Sequence, residues 1–164
     1  MLDSLAASMR LELNHNNEQK ILGAFATMPA HPDMSQALET LKAAGYRTIA
    51  FTNSSIQLVT SQIANSGLTD LFDQQISVES TGSFKPDTKV YQHAAKQADR
   101  PIQALRLVAT HDWDTHGALS AGMKAGYIDR TGAPYHPQYL RPDAFAKSMT
   151  ELVAQIIKLD ANST

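Results

Sequence analysis

Thr48-Ile-Ala-Phe-Thr-Asn-Ser-Ser-Ile-Gln-Leu-Val-Thr-Ser-Gln-Ile-Ala-Asn-Ser-Gly67 is the stretch that decides how this chain folds. It opens on a short apolar run, Thr48 to Phe51, of the length of one buried strand. Four polar residues follow, Thr52 to Ser55. Ile56, Val59 and Ile63 then recur at helical spacing, and Ser66-Gly67 stands where a C-terminal cap belongs. A strand that passes through a polar turn into a helix is the unit from which parallel sheets are built.

The alternation extends in both directions. Upstream, Met34, Leu38 and Leu41 share a helical face that closes at Gly45, after a proline loop from Met28 to Asp33. Before that loop, Leu2, Leu5, Met9 and Leu13, then Ile21, Leu22 and Phe25, keep helical spacing. His15-Asn16-Asn17 interrupts them, which predicts two short helices. Downstream, Leu68 to Phe72 reads as a helical turn, Gln75 to Val78 as a strand and Ser80 to Pro86 as a loop. Pro86 suits the first turn of a helix running through Val90, Tyr91 and Ala95. Leu105 to Val108 is a third strand, Thr115 to Ala125 a helix and Tyr127-Ile128 a fourth strand. A loop from Gly132 to Pro142 leads to a last helix from Ala144 to Leu159 and a polar tail. The expected fold class is therefore α/β, a parallel sheet with flanking helices.

Composition narrows the function classes. The 164 residues suffice for one domain with a buried core, and 43% apolar content is too high for a disordered chain. No apolar run is long enough for a membrane helix. Lys and Arg number 14 against 16 acids, so no basic field exists to hold nucleic acid or an anionic membrane by charge. The absence of cysteine removes disulfides, thiolate metal sites and thiol nucleophiles. The N-terminal stretch carries acids and lacks the apolar centre of a secretory signal, so the expected compartment is the cytoplasm.

In open parallel sheets, ligands bind beyond the C-terminal ends of the strands. Three polar clusters fall there. Thr52 and Asn53, at a helix start, offer a hydroxyl, an amide and free N–H groups for an anion; the plain alternative is that Ser54 or Asn53 caps the helix. Lys85 lies in a loop with Gly82, where a fixed ammonium can neutralise a carboxylate or phosphate, or be an ordinary surface lysine. His111, Asp112 and Asp114 stand at the third strand's end. Asp114 can fix Lys85 as an ion pair, or either acid can cap the helix. His111 and His116 lack further ligands at zinc spacing, and Trp113 reads first as a packing residue.

Together the three clusters resemble the haloacid dehalogenase superfamily, most closely its type II 2-haloacid dehalogenases. The resemblance lies in Ile49-Ala-Phe-Thr-Asn-Ser-Ser55, Ser77-Val-Glu-Ser-Thr-Gly-Ser-Phe-Lys-Pro-Asp-Thr-Lys-Val-Tyr91 and Val108-Ala-Thr-His-Asp-Trp-Asp-Thr-His-Gly-Ala118, with Tyr127-Ile-Asp-Arg130 behind them. It implies a Rossmann-like core and a set of roles. Thr52 and Asn53 bind the substrate's carboxylate or phosphate, and Lys85 steadies the nucleophile's charge. Asp114 orients that lysine and the hydrolytic step. Tyr91, His111 and Trp113 belong to the substrate's surroundings, His111 at a position often held by asparagine. Thr110 stands where the magnesium-dependent phosphatases carry an acid, so the resemblance implies no metal, with magnesium entering only for a phosphatase.

One part of the family pattern does not occur in these 164 residues: the aspartate nucleophile at the end of a first strand, in an Asp-x-(Tyr/Asp)-Gly-Thr type motif. Asp3 and Asp33 have neither the strand before them nor the Gly-Thr after. By register, residues 1–28 correspond to a remnant of the helical cap domain and residues 29–164 to a partial core. The first strand and most of the cap, with its substrate-binding arginine, then fall outside the sequence. That strand lies between those formed by residues 47–52 and 105–109 in the family's sheet. Without it the two would pair directly, or leave open edges that another chain fills. The expectation is a homo-oligomer, at least a dimer. The implied activity is hydrolytic dehalogenation of a small 2-haloacid by a chain inactive on its own. Hydrolysis of a small phosphate ester and a non-catalytic oligomer that keeps an anion site are the alternatives.

Overall fold

The computed structural model describes residues 2–12 and 14–162. Two helices, α1 (Leu2–Ser8) and α2 (His15–Ala26), lead into α3 (Met34–Ala43), β1 (Ile49–Thr52) and α4 (Ile56–Asn65). Then come β2 (Gln74–Ser77), α5 (Thr88–Ala98), β3 (Arg106–Ala109), α6 (Asp112–Ser120) and β4 (Lys124–Ile128). β5 (Ala144–Ala146) and α7 (Met149–Ala161) complete the chain. No described helix is long and apolar enough to cross a membrane.

The strands form two parallel sheets rather than one. β1 pairs with β2, placing Phe51 opposite Ile76. β3 pairs with β4, placing Val108 opposite Gly126, and β4 pairs with β5. β1 and β3 do not pair with each other. Their facing edges line a cleft of about 610 Å³, to which all four residues of each strand contribute. Of the outcomes the sequence left open for these strands, direct pairing is the one that does not occur.

Helices hold the halves together. On one face, Ala37 and Leu41 of α3 pack with Leu152, Val153 and Ile156 of α7 over Ile128 and Val108. Leu38 joins Val59 and Ile63 of α4 beside Ala50. On the other face, Val90, Tyr91 and Ala94 of α5 meet Ala118 of α6 over Leu107, Phe51 and Ala109. Neighbouring residues of β1 and β3 thus point to opposite layers, as the two-residue strand period requires. Burial of these side chains stabilises the domain by about 1.5–3 kcal/mol each for the larger ones.

Several boundaries differ from the sequence reading. The break between α1 and α2 lies before His15, because Asn14 caps α2 by accepting the Asn17 N–H at 2.9 Å. Leu13 and the side chains of Leu2, Leu5 and Leu22, part of the helical pattern read there, lie outside the described residues. Pro86 precedes α5 rather than entering it, and Asp87 is the cap, accepting the Lys89 N–H. α6 starts at Asp112 and stops at Ser120, because Gly122 takes a φ of 96° that ends the helix. Ala144–Ala146 is a strand with both alanines buried and Phe145 outward, not the start of the last helix. α7 begins after Ser148, which accepts the Glu151 N–H at 3.2 Å while Glu151 accepts the Lys147 N–H. Ser-x-x-Glu is a helix-start signal present in the sequence, although Glu151 here reaches one residue past the Ser148 cap.

Candidate active site

The polar clusters meet at the C-terminal ends of β1, β2 and β3, on the rim of the cleft. Lys85 reaches in from the loop before α5. Its Nζ donates to Asp114 Oδ2 at 2.9 Å and to the Phe51 carbonyl at 3.2 Å, and it sits 4.6 Å from the centre of the Phe51 ring. Both members of the pair are buried, their side chains 9% and 6% exposed. An ammonium has three donors. Two are engaged here, and Lys85 itself lines the cleft.

Asp114 is held from both sides. Its Oδ1 accepts the Tyr91 hydroxyl at 2.7 Å, and Tyr91 has no exposed surface. Burial, reinforced by the hydrogen bond and charge of Asp114, pushes the Tyr91 hydroxyl well above the usual phenol range, so it stays a donor. Tyr91 can come this close because position 117 is glycine. A Cβ there would lie 2.6 Å from the Tyr91 hydroxyl and 2.7 Å from Pro86 Cβ. Tyr91 therefore stands beside Asp114, with its hydroxyl donating to both the carboxylate and the backbone carbonyl of that residue.

Asn53 Oδ1 accepts the Lys85 backbone N–H at 2.9 Å, so the amide fixes the lysine's loop. Ser55, not Asn53 or Ser54, caps α4, accepting the Leu58 N–H at 3.2 Å. Thr52 does line the cleft, with its hydroxyl oxygen accepting the Ser54 N–H at 3.0 Å. His111, exposed, also lines it, and Trp113 leans on His111 with ring centres 5.3 Å apart. Asp112 faces away from Lys85, accepting the N–H groups of Trp113 and His136.

Sequence reasoning missed three contributors to this rim. Phe51 supplies both a carbonyl and a ring face to Lys85, and the signal was its place at the end of an apolar strand. His31 and Arg130 line the cleft mouth. Arg130 makes a two-point ion pair with Asp33, at 2.9 and 3.1 Å, and Asp33 also accepts the Met149 N–H at 2.7 Å. Nothing local in the sequence joins positions so far apart.

Among the described residues no three His, Asp or Glu side chains converge as a metal site. Asp114 gives one oxygen to Lys85 and the other to Tyr91, and position 110 is threonine. The residues this chain presents therefore do not by themselves fit a magnesium ion, which needs a near-octahedral set of oxygens. What the arrangement can do is hold an anionic group at the mouth of the cleft, against a buried ammonium whose orientation is locked by Asp114 and Asn53.

Known proteins resemble this chain in sequence and fold. The (S)-2-haloacid dehalogenase 1 of Pseudomonas sp. strain CBS-3 is 28% identical over 158 residues, 96% of this chain and 70% of its own length. A phosphatase of Mycobacterium tuberculosis is 32% identical over 133 residues, 80% of this chain and 61% of its own. The L-2-haloacid dehalogenase of Xanthobacter autotrophicus, solved with chloropropionic acid covalently bound, superposes with a TM-score of 0.84 at 22% identity. That match covers 94% of this chain and 73% of the other. The chain thus spans 61 to 73% of these three relatives. The fold is that of the dehalogenase structures, an α/β core of parallel sheets with flanking helices. The haloacid dehalogenase-like hydrolase model matches residues 4–106, well over half of the sequence, and the chain belongs to that family.

Proposed function

We propose that this chain carries the lysine–carboxylate half of a hydrolase site that releases halide from a small 2-haloacid. The observation that carries the proposal is the buried Lys85–Asp114 pair at 2.9 Å on the rim of the β1–β3 cleft. In this reading the cleft receives an extended strand whose last residue brings a carboxylate beside Lys85. That carboxylate attacks C2 of the haloacid, the carbon–halogen bond breaks and halide departs. Water then cleaves the resulting ester to a 2-hydroxy acid and regenerates the carboxylate. Lys85 steadies the carboxylate's charge before attack, Asp114 holds Lys85, and Tyr91 holds Asp114. Thr52 and His111 face the substrate, residues 1–28 are the last part of a helical cap and residues 29–164 are the core.

The covalent chloropropionic acid of the Xanthobacter relative supports the 2-haloacid class for that enzyme, and the argument is carried to this chain by the shared fold. The phosphatase relative favours a second reading, hydrolysis of a small phosphate ester at the same rim.

The test is chloride release from 2-chloropropionate by the purified chain, alone and with a synthetic apolar peptide ending in an aspartate. Lys85→Ala serves as control, and a phosphate ester is assayed in parallel with and without magnesium. Chloride release that needs the peptide and vanishes in Lys85→Ala is the expected result. Phosphate release in its place transfers the assignment to the second reading. No turnover of either substrate under any of these conditions overturns both.

A further inference from the structure

We propose that the loop from Tyr135 to Leu140 is an acid-released strap on α6 that positions Asp114, with His116 as its latch. The strap grips the helix on both sides of that residue. Before it, Asp112 Oδ2 accepts the His136 N–H at 3.1 Å. After it, the fully buried Thr115 places its hydroxyl 2.9 Å from the Tyr135 hydroxyl, which donates to the Leu140 carbonyl at 2.8 Å. His116 Nδ1 then accepts the Leu140 N–H at 3.1 Å. The Tyr139 ring is clamped between two imidazoles, parallel to His116 at 4.4 Å and tilted to His136 at 4.3 Å.

The latch holds only while His116 is neutral. A neutral imidazole has one nitrogen free to accept, whereas an imidazolium carries a proton on both. Protonation would set the Leu140 N–H against an Nδ1–H and break the bond. Histidine is the side chain that changes charge between about pH 5 and 8. Tyr139 stacks on His116; the other titratable and charged groups of the strap and its helix are Asp112 one turn earlier on α6, and Tyr135, Arg141 and His136, whose own Nδ1 accepts the Gln138 N–H at 3.3 Å. From α5 comes Tyr91, which is committed to Asp114. None of them offers the Leu140 N–H another acceptor in this arrangement. Loss of the Leu140–His116 bond leaves the strap's grip on either side of Asp114 to the Asp112–His136 and Thr115–Tyr135 bonds, beside the direct contacts of Asp114 with Lys85 and Tyr91. The functional consequence rests on the proposed role of Asp114, with His116 a positioning residue for it.

The test is amide hydrogen exchange of the full chain followed by NMR, corrected for intrinsic rates, at about pH 7.5 and about pH 5. Protection of the Leu140 amide is expected to fall about tenfold in acid, the effect of losing one hydrogen bond, with the Asp114 and Thr115 amides following. His116→Phe keeps a ring on Tyr139 but no acceptor, so low protection at both pH values is expected. His116→Gln retains an acceptor that does not titrate, so it is expected to restore protection without the pH step. His136→Phe is expected to keep the step. Equal protection of Leu140 at both pH values in the native chain, or a step that survives in His116→Phe, overturns the proposal. The readout needs no substrate, so failure of the hydrolase reading and failure of the strap are separate results.

Discussion

Asp114 spends its two carboxylate oxygens on two different donors, and that division governs what single substitutions do at the site. Replacing Asp114 with alanine leaves the Lys85 ammonium buried against Phe51 without a counter-charge. Breaking such a pair costs about 3 kcal/mol or more, which urea denaturation will read as a lower midpoint at unchanged slope. Tyr91→Phe removes one donor and leaves Asp114 Oδ1 short of a partner, a smaller loss of about 1–3 kcal/mol. Gly117→Ala drives a methyl to within 2.7 Å of Pro86 and 2.6 Å of the Tyr91 hydroxyl. It is expected to destabilise by about 1–3 kcal/mol, and its effect will not add to that of Tyr91→Phe, because the two substitutions share a contact. Additive costs in the double mutant would show that the helix backs away instead. At this scale the sequence was informative about identity and poor about direction. Lys85 and Asp114 were legible from their motifs, whereas the inward turn of Tyr91 and the commitment of Asn53 to the Lys85 backbone depend on side-chain contacts formed only on folding.

Between elements, Asp33 ties three distant segments together: the loop before α3, Arg130 beyond β4 and the N–H of Met149 at the start of α7. The hydrogen bond from Arg130 is the largest influence on it. Burial pushes the other way, and the Met149 N–H and the Arg130 charge help hold the Asp33 carboxyl below its usual range. The Thr48 N–H and the Lys42 ammonium do the same for Asp73. A carboxyl depressed in the folded state binds its proton more readily when unfolded. These two groups therefore stabilise the chain fully above the ordinary carboxylate pKa of about 3.9, and that contribution fades as pH falls through the depressed folded values. Asp33→Asn is expected to flatten the acid limb of the stability curve between about pH 5 and 2, measured by thermal unfolding across that range. At pH 7 it should cost about 1–3 kcal/mol, as a hydrogen-bonded charge is lost from a half-buried guanidinium. An acid limb identical to that of the native chain would show that the pair contributes nothing. The helices were readable because amphipathic spacing repeats over ten residues or more. β5 was not, because three residues carry too short a period, and its alanines become a strand only when β4 lies alongside.

Across the whole molecule, the dominant feature is the open slot. The β1 and β3 edges face it without pairing to each other and with an apolar lining, while α3, α7, α5 and α6 keep the two sheets at their separation. Such edges are templates for another strand. An apolar peptide that seats there should raise the midpoint of thermal unfolding with its concentration, by about 2.7 kcal/mol at a hundred times its dissociation constant. A midpoint that ignores the peptide argues against strand insertion. The slot also bears on assembly. Phe25 on α2, and Met9, Leu11 and Met28 in the segments flanking the N-terminal helices, are exposed, and with the open edges they lead to the expectation of at least a dimer in solution. A monodisperse monomer in solution scattering would refute it.

The sequence by itself determined the family, the parallel α/β character and the identity of the lysine and carboxylate that face each other across the site. These are legible because hydrophobic period, caps and short motifs act over a few residues. Only the tertiary structure decided that β1 and β3 stand apart, that Tyr91 donates to Asp114, and that a loop twenty residues downstream straps its helix. Each of these depends on contacts between segments far apart in the chain, where the cost of unpaired backbone groups and the geometry of packed side chains are settled jointly and no local pattern records the outcome.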